Sequence, residues 1–511
     1  MKFIHKSDAR DRAIVTIFFI FYLRTFFVHL QLCRTISVIK KKKTHMDKAL
    51  KHFDEFYGNV YGKSWENIRA ALLAEEHKYM AVVNSFSDID RIKAELESQG
   101  AMNLRTIYET YKEHLDAKPH KSKENRKGKR QGTGRTESVI SNTGMSVVQS
   151  HYPTDYTSPV SLSTDEDDQD LAVEDQALQP VKLKPIESNL NEIALDENRI
   201  VHPNTSLSGL YEFVPATKIK GMDDWVLESQ HYGYYKEGLE FSVNVESEVM
   251  LTFPQFLNIY TFEKDNNSKF PSPKKGSTGV LDYYLLDGAS VLPVLALDMQ
   301  PGDVVLDMCA APGGKTLSIL QTLMPHTLVA NDIQKSRVNR IHKIIDEYVA
   351  GIGQWEDRLF VTERDARFID DKDMFNKILV DVPCTTDRHV LHSEENNIFK
   401  SQRVRERLKI PELQAAILTN ALKIISVGGT VVYSTCSLSP IQNDGVVGMA
   451  LKKAWEETNS IMIVKDMSKA LNPLRCLYRF GNFGLKYGHI AIPALSNNWG
   501  PMYFCKIVRT R

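Results

Sequence analysis

The sequence lacks several features that would assign it quickly to a class of protein. Across 511 residues, Lys plus Arg equals Asp plus Glu at 64 each, so no overall positive charge indicates a nucleic-acid partner. Any RNA contact must therefore use a local patch. The six cysteines are spread widely and form no CxxC pair, which argues against a disulfide framework and against a structural zinc site. We expect a protein of a reducing compartment without a bound metal.

A long hydrophobic run is also missing from the N-terminal region. The apolar stretch 13–23 is shorter than the roughly 20 residues that span a bilayer, and Arg24 interrupts its continuation. No membrane association is expected. Residues 1–45 are basic and poor in acidic side chains, which is typical of a mitochondrial transit segment. Two other interpretations stay open: an uncleaved anchor, or an upstream extension with Met46 as the true start.

The next two segments differ in composition. Segment 46–116 carries apolar residues at helical spacing and is predicted to form a helical N-terminal segment. One predicted face consists of Trp65, Ile68, Ala71 and Leu72. Segment 117–202 is polar, with a basic cluster at 118–130 and an acidic run at 165–170, and is predicted to be a mostly disordered linker. The basic cluster is interpreted as a solvated tether, with RNA phosphates as the alternative contact.

From 203 to 511, apolar strands alternate with helical stretches, which predicts an α/β domain of the doubly wound, Rossmann-like class. In such a fold the ligand lies at the carboxyl ends of the parallel strands. The predicted strands are 304–308, 328–331, 359–362, 377–380 and 430–434, and the predicted helices are 315–323, 335–349 and 412–425, the last closed by Gly428 and Gly429.

A glycine turn follows the first of these strands. Gly313, Gly314 and Lys315 lead into a helix, where glycine lets the backbone approach a ligand. The turn matches neither the dinucleotide nor the nucleoside-triphosphate fingerprint. Asp332 ends the second strand, where a carboxylate can accept hydrogen bonds from ribose hydroxyls. The combination predicts an adenosine ligand without phosphates.

Three further residues are candidates for the same ligand. Asp365 follows the third strand and would reach the adenine, and Ala366 would offer backbone contacts. Arg337 lies in the first turn after Asp332. The alternatives are a simple turn aspartate and a surface helix residue.

Two cysteines follow strands of the same predicted sheet. Cys384 follows the fourth strand and Cys436 the fifth, so both thiols should reach the cofactor edge if these strands are neighbours. Cys309, inside the glycine turn, is interpreted as a small packing residue.

A thiol beside a carboxylate suits the methylation of cytosine carbon 5. That carbon is a poor nucleophile until a thiolate adds to carbon 6 and converts the ring to an enamine. Asp381 is placed to stabilise the charge that develops at ring nitrogen 3 and to contact the cofactor. Thiolate attack requires a lowered cysteine pKa or a nearby base.

The stretch 276–511 resembles the Nop/Sun (RsmB/NOP) family of RNA cytosine-5 methyltransferases, and within it the mitochondrial ribosomal-RNA member. The motifs that carry the resemblance are CAAPGGK, DVPCTTDRH, HSEENNIF, YSTCSLSPIQN and the terminal GPMYFCK, and a weaker likeness covers 53–93. The resemblance implies a class I, Rossmann-like fold with S-adenosyl-L-methionine as cofactor.

The resemblance also assigns roles. It makes Cys436 the nucleophile and Cys384 the residue that assists product release, with Cys384 as the alternative nucleophile because DNA enzymes attack from a PC motif. The family's cofactor contacts map onto Gly313, Gly314, Lys315, Asp332, Arg337, Asp365 and Asp381. Ala366 departs from the pattern, since close relatives tend to have glycine there, and its methyl would crowd the adenine.

Substrate and partner also follow from the resemblance. It implies small-subunit ribosomal RNA in the mitochondrial matrix, a role in ribosome assembly, and a helical-repeat partner of the mitochondrial termination-factor family, since the sequence shows no separate RNA-binding module. Alternatives are a tRNA or mRNA cytosine, methylation of an amino nitrogen, and a non-catalytic assembly scaffold. Some basic positions could line an RNA groove, with a charged helix face as the alternative for each: Lys274, Lys275, Arg403, Arg405, Arg407 and Lys409.

Overall fold

We describe the protein from a computed structural model that covers residues 44–117 and 243–511, apart from Asn482. The predicted leader, up to residue 43, and the predicted linker beyond Ala117 lie outside the described residues. Among the helices of the described ranges, none is both long and apolar enough to cross a bilayer.

The described ranges contain alternating helices and strands. The helices are α1 (His45–Tyr61), α2 (Trp65–Leu73), α3 (Ile89–Ser98), α4 (Leu104–Asp116), α5 (Val291–Ala296), α6 (Gly314–Leu320), α7 (Lys335–Tyr348), α8 (Asp387–His392), α9 (Val404–Ile424) and α10 (Val446–Thr458). The strands are β1 (Tyr79–Val83), β2 (Met102–Asn103), β3 (Asn244–Ser247), β4 (Ile259–Thr261), β5 (Tyr283–Asp287), β6 (Val304–Asp307), β7 (Thr327–Asn331), β8 (Leu359–Thr362), β9 (Phe375–Asp381), β10 (Ile425–Thr435), β11 (Met462–Asp466), β12 (Phe480–Gly481), β13 (His489–Ala491) and β14 (Met502–Arg509).

The large sheet has the predicted doubly wound order. Strands β8, β7, β6, β9 and β10 lie side by side and parallel, and β14 continues the sheet antiparallel to β10. The central strands β6, β9 and β10 are largely buried and apolar, whereas Phe360 of the end strand β8 is exposed. Strands β9 and β10 are neighbours, as the placement of the two thiols required.

Helix α9 differs from its prediction at both ends. It begins at Val404 and continues through Pro411. The prediction that Gly428 and Gly429 close this helix is wrong, because the chain is already in β10 at Ile425. The glycines instead form an irregularity where the β9 register shifts, with Gly428 at φ +82°. Helix α6 is also shorter than predicted, ending at Leu320.

The N-terminal segment is more than a helical extension. Helix α1 starts with a capping box between Thr44 and Asp47, and the predicted apolar face of α2 is buried as expected. The same segment also contributes β1 and β2, which pair with β4 and β5 in an antiparallel sheet of order β2-β4-β1-β5. Phe53 and Tyr57 of α1 belong to the apolar cluster that contains Ile378 of β9. Helix α1 therefore packs into the core beside the large sheet.

Candidate active site

The glycine turn brings the backbone close to strand β5. Gly313 has φ +118°, the left-handed region that glycine tolerates best. Gly314 is the first residue of α6, and a Cβ there would lie 2.9 Å from Cε1 of Tyr284. Only a residue without a side chain fits this approach undisturbed, so glycine at 314 allows α6 to begin directly against β5.

Asp307, at the end of β6, was not singled out from the sequence, although it begins the motif that contains the turn. Its side chain is 1% exposed, and one carboxyl oxygen accepts a hydrogen bond from Thr316 Oγ1 at 2.7 Å. Within the described residues, its Oδ1 atom has no hydrogen-bond partner. Burial raises the pKa of Asp307 to about 7. A buried oxygen without a partner at this edge fits a site whose polar ligand completes it.

Asp332 and Arg337 lie together beyond β7. Asp332 is 3% exposed, and its Oδ2 lies 3.1 Å from Arg337 Nε. Arg337 also donates to the carbonyl of Ala311 at 2.9 Å, which ties α7 to the glycine turn. Asp332, the residue predicted to bind the ribose, therefore has its carboxylate already fixed by Arg337.

Asp365 and Ala366 follow β8, as predicted. The Asp365 carboxylate accepts from the backbone N–H of Arg367 at 3.0 Å and from its guanidinium at 2.6 Å, and this pairing lowers the pKa of Asp365. The side chain of Ala366 is buried in the apolar core, and its carbonyl accepts from Asn420 Nδ2 at 2.8 Å. That carbonyl is therefore already engaged within the protein.

The two predicted catalytic cysteines meet at the ends of β9 and β10. Parallel pairing sets Ser434 beside Asp381, and the loops beyond these strands bring Cys384 Sγ and Cys436 Sγ to 3.1 Å. Cys309 lies in the buried apolar core, where burial raises its thiol pKa well above the ordinary value. Its surroundings match the packing role expected from the sequence.

Asp381 joins the glycine turn to the thiols. Its Oδ2 accepts from Lys315 Nζ at 2.7 Å, and its Oδ1 accepts from Ser434 Oγ at 2.7 Å. The Asp381 carboxylate raises the pKa of Lys315 even though burial opposes it. Lys315 therefore remains an ammonium close to the reacting groups.

The environment of Cys436 favours the thiol over the thiolate. Its hydrogen bond with Cys384 raises the Cys436 pKa, and burial raises it further, while the Lys315 ammonium acts in the opposite direction. The nucleophile must lose this proton before it attacks. Lys315 is the nearby cation that would stabilise the resulting thiolate.

Several polar residues behind the cysteines were missed from the sequence. Asp387 is fully buried and accepts hydrogen bonds from Tyr57, Ser437 and the backbone of Leu438. Burial raises its pKa to about 6. Asp387 and Ser437 lie inside motifs that the sequence analysis quoted, whereas Tyr57 is remote from them in sequence.

The predicted RNA-facing basic residues are not equivalent. Lys274, Lys275 and Arg405 are exposed. Arg407 is 2% exposed, with its guanidinium 4.8 Å from the ring centre of Phe399. The interpretation of Arg407 as a lining residue of an RNA groove is therefore wrong, because its side chain is buried against the ring of Phe399.

Comparison with known proteins shows the family of this chain. The family model described as 16S rRNA methyltransferase RsmB/F matches residues 294–473. The 5-cytosine rRNA methyltransferase nsun-4 of Caenorhabditis elegans is 31% identical over 480 residues, covering 93% of this chain and 94% of that protein. The chain belongs to the RsmB/F, or Nop/Sun, family of RNA cytosine-5 methyltransferases.

Two further relatives match about half of the chain. The 5-cytosine rRNA methyltransferase NSUN4 of Mus musculus is 45% identical over 258 residues, covering 50% of this chain and 67% of that protein. The mouse protein named tRNA (cytosine(34)-C(5))-methyltransferase, mitochondrial, is 33% identical over 241 residues, covering 47% of this chain and 67% of that protein.

The cofactor of the family is S-adenosyl-L-methionine, and the residues at the sheet edge fit it. The Asp332 carboxylate is fixed by its pair with Arg337, and the buried Oδ1 atom of Asp307 has no hydrogen-bond partner among the described residues, so a polar ligand could satisfy it. When bound, this cofactor supplies an electrophilic methyl group.

Proposed function

We propose that this enzyme methylates carbon 5 of a cytosine in mitochondrial small-subunit ribosomal RNA, with Cys436 as nucleophile, Cys384 as the release residue and Asp381 as the acid-base group. The observation that carries these roles is the 3.1 Å separation of the two sulfurs beside an Asp381 carboxylate bonded to Lys315 of the cofactor turn.

The chemistry assigns one task to each residue. Cys436 passes its thiol proton to the Asp381 carboxylate as its sulfur bonds to carbon 6 of the cytosine, and Asp381 gives that proton to ring nitrogen 3, which takes up the displaced electron pair. Carbon 5 thereby becomes nucleophilic enough to take the methyl group that the sulfonium of the cofactor would supply, and the sulfonium would leave as a neutral thioether. A base then takes the proton from carbon 5, the bond from carbon 6 to sulfur breaks, and Cys436 leaves as the thiolate. Cys384 assists this release from its position 3.1 Å away.

The cofactor residues are part of the same proposal. Asp332 would accept hydrogen bonds from the ribose hydroxyls, and Asp365 and the Ala366 backbone would lie at the adenine. Arg337 would hold the Asp332 carboxylate in place. At Gly313 and Gly314 the protein backbone would contact the cofactor. These assignments rest on the ends of β6, β7 and β8 meeting at one edge.

Covalent trapping distinguishes the two thiols. Cys436→Ala should abolish both methyl transfer and the protein–RNA adduct seen on a denaturing gel. Cys384→Ala should accumulate the adduct because release fails. Cys476→Ala, at another partly buried cysteine, is the matched control and should behave like the unmodified enzyme. An adduct that survives in Cys436→Ala but disappears in Cys384→Ala would reverse the roles.

The substrate is tested by bisulfite sequencing of organellar RNA with and without the protein. Loss of one methylated cytosine in small-subunit ribosomal RNA is the expected result. Loss of a tRNA cytosine instead would favour the second candidate, which the similarity to the mouse tRNA enzyme motivates. Normal ribosome assembly with Cys436→Ala would indicate a scaffold role in addition to catalysis.

The partner and the compartment complete the proposal. We expect a helical-repeat protein of the mitochondrial termination-factor family to supply RNA affinity, and the matrix to be the site of action. Fluorescence anisotropy with labelled ribosomal RNA should show tighter binding when such a partner is added. Protease protection of isolated mitochondria tests the matrix location, and degradation before the inner membrane is opened would contradict it.

A further inference from the structure

We propose that Asp387 is the positioning residue that fixes the two cysteine loops relative to each other, and that Tyr57 of α1 holds Asp387 in place. This inference rests on the proposed catalytic roles of Cys384 and Cys436. If it holds, helix α1 is required for full activity, although the helix contributes none of the proposed reacting groups.

Asp387 contacts the loop of the nucleophile through both its backbone and its side chain. Its backbone N–H donates to the carbonyl of Cys436 at 3.3 Å. Its Oδ2 accepts from the backbone N–H of Leu438 at 2.7 Å, two residues further along. A single aspartate thus makes hydrogen bonds both at Cys436 and two residues beyond it.

The same carboxylate reaches the residue that follows each thiol. Its Oδ1 accepts from Thr385 Oγ1 at 2.5 Å, and Ser437 Oγ lies 3.3 Å from the same oxygen. The two hydroxyl oxygens are 2.9 Å apart. Because Thr385 follows Cys384 and Ser437 follows Cys436, a shift of the carboxylate would change the separation of the sulfurs.

Helix α1 supplies the outer support. Tyr57 donates its hydroxyl hydrogen to Asp387 Oδ2 at 2.7 Å, and Tyr61 donates to the carbonyl of Leu438 at 2.6 Å. The Tyr57 side chain is 1% exposed and Asp387 is fully buried. Hydrogen bonds to a buried carboxylate are stronger than those between neutral groups, so this arrangement holds the loops in one geometry.

The test uses two conservative variants of the full chain. Tyr57→Phe removes one hydroxyl and should lower kcat about fivefold, the effect of roughly 1 kcal/mol. Asp387→Asn weakens several hydrogen bonds at once and should lower kcat about 100-fold, or roughly 2.7 kcal/mol. In both variants the KM for RNA and for the methyl donor should stay within about twofold, since neither residue is proposed to contact a substrate.

Matched controls separate positioning from general stability. Tyr260→Phe removes a hydroxyl that is likewise 2.7 Å from a carboxylate, that of Glu97. Asp303→Asn alters a buried aspartate that accepts from Gln300 and Asn376 before the start of β6. Both controls should lower the Tm to a similar extent and leave kcat unchanged.

Adduct formation provides the readout that a purely structural role would not change. In the Cys384→Ala background, Tyr57→Phe should slow the appearance of the protein–RNA adduct by the same factor as kcat. Unchanged kcat in Tyr57→Phe and Asp387→Asn, or kcat losses that follow the Tm in all four variants, would overturn the proposal. Should Asp387→Asn fail to fold, Tyr57→Phe alone decides it. Failure of the unmodified enzyme to methylate or trap RNA would instead refute the proposed function.

Discussion

The cofactor edge and the catalytic edge of the large sheet are built in different ways. At the cofactor edge, formed by Gly313, Gly314, Asp307, Asp332 and Asp365, each carboxylate has a partner a few residues away in sequence: Thr316 for Asp307, and an arginine for Asp332 and for Asp365. At the catalytic edge, formed by Asp381, Cys384, Cys436 and Asp387, the partners come from distant parts of the chain. The cofactor edge is thus assembled by local structure, whereas the catalytic edge depends on the complete fold.

The strongest way to break the cofactor edge is to fill the glycine turn. Gly314→Val places a branched side chain where even a Cβ lies 2.9 Å from Tyr284. We expect affinity for S-adenosyl-L-methionine to fall by about 100-fold or more, measured by isothermal titration calorimetry, because the turn must shift. Gly353→Ala is the control, since a Cβ there meets nothing within 4 Å. Equal affinity in both variants would show that the ligand does not approach this turn.

The link between the two edges is the pair of Lys315 and Asp381. Lys315→Met should lower kcat about 100-fold, because the cation that stabilises the Cys436 thiolate is lost and Asp381 keeps an uncompensated charge. The acidic limb of the pH–rate profile should also move to higher pH. Lys343→Met breaks an exposed pair with Glu347 and should leave the profile unchanged. An unaltered profile in Lys315→Met would remove Lys315 from the mechanism.

The same contrast explains what the sequence could predict. The parallel strands, the glycine turn and Asp332 are encoded by short patterns, so their placement follows from the order of elements. Periodicity also predicted the buried face of α2. Glycine as a helix stop signal failed at Gly428 and Gly429, because a pair of glycines can end a helix or form a strand irregularity, and pairing with β9 decides between them.

The residues and strands that could not be predicted from the sequence were missed for one physical reason. In the sequence, Tyr57 is one of several aromatic residues on an amphipathic helix. Its hydroxyl acquires a hydrogen-bonding partner only when α1 packs against the start of α8. Strands β1 and β2 are short and complete their sheet with β4 and β5 from beyond the predicted linker. Long-range partners of this kind leave no local pattern to recognise.

A smaller effect is expected at the catalytic edge from a change in the pKa of Cys436. Cys384→Ala removes the hydrogen bond that raises the Cys436 pKa, so the thiolate fraction at neutral pH should increase. Alkylation of Cys436 by iodoacetamide, followed by peptide mass spectrometry, should become several-fold faster, up to about tenfold. Cys476→Ala should leave the Cys436 rate unchanged. A slower reaction in Cys384→Ala would mean that Cys384 activates the nucleophile.

The smallest expected effect concerns Asp307 at the cofactor edge. Its pKa is raised to about 7 from an ordinary 3.8, so between these values the folded chain holds a proton that the unfolded chain releases. The stability of the unmodified protein should therefore fall as the pH rises from about 4 to about 7. Asp307→Asn cannot ionise, so its Tm relative to the unmodified protein should increase by roughly a few degrees across this window. Differential scanning calorimetry at several pH values measures the difference. A constant difference would show that Asp307 is ionised throughout, and that its Oδ1 atom finds a partner without the cofactor.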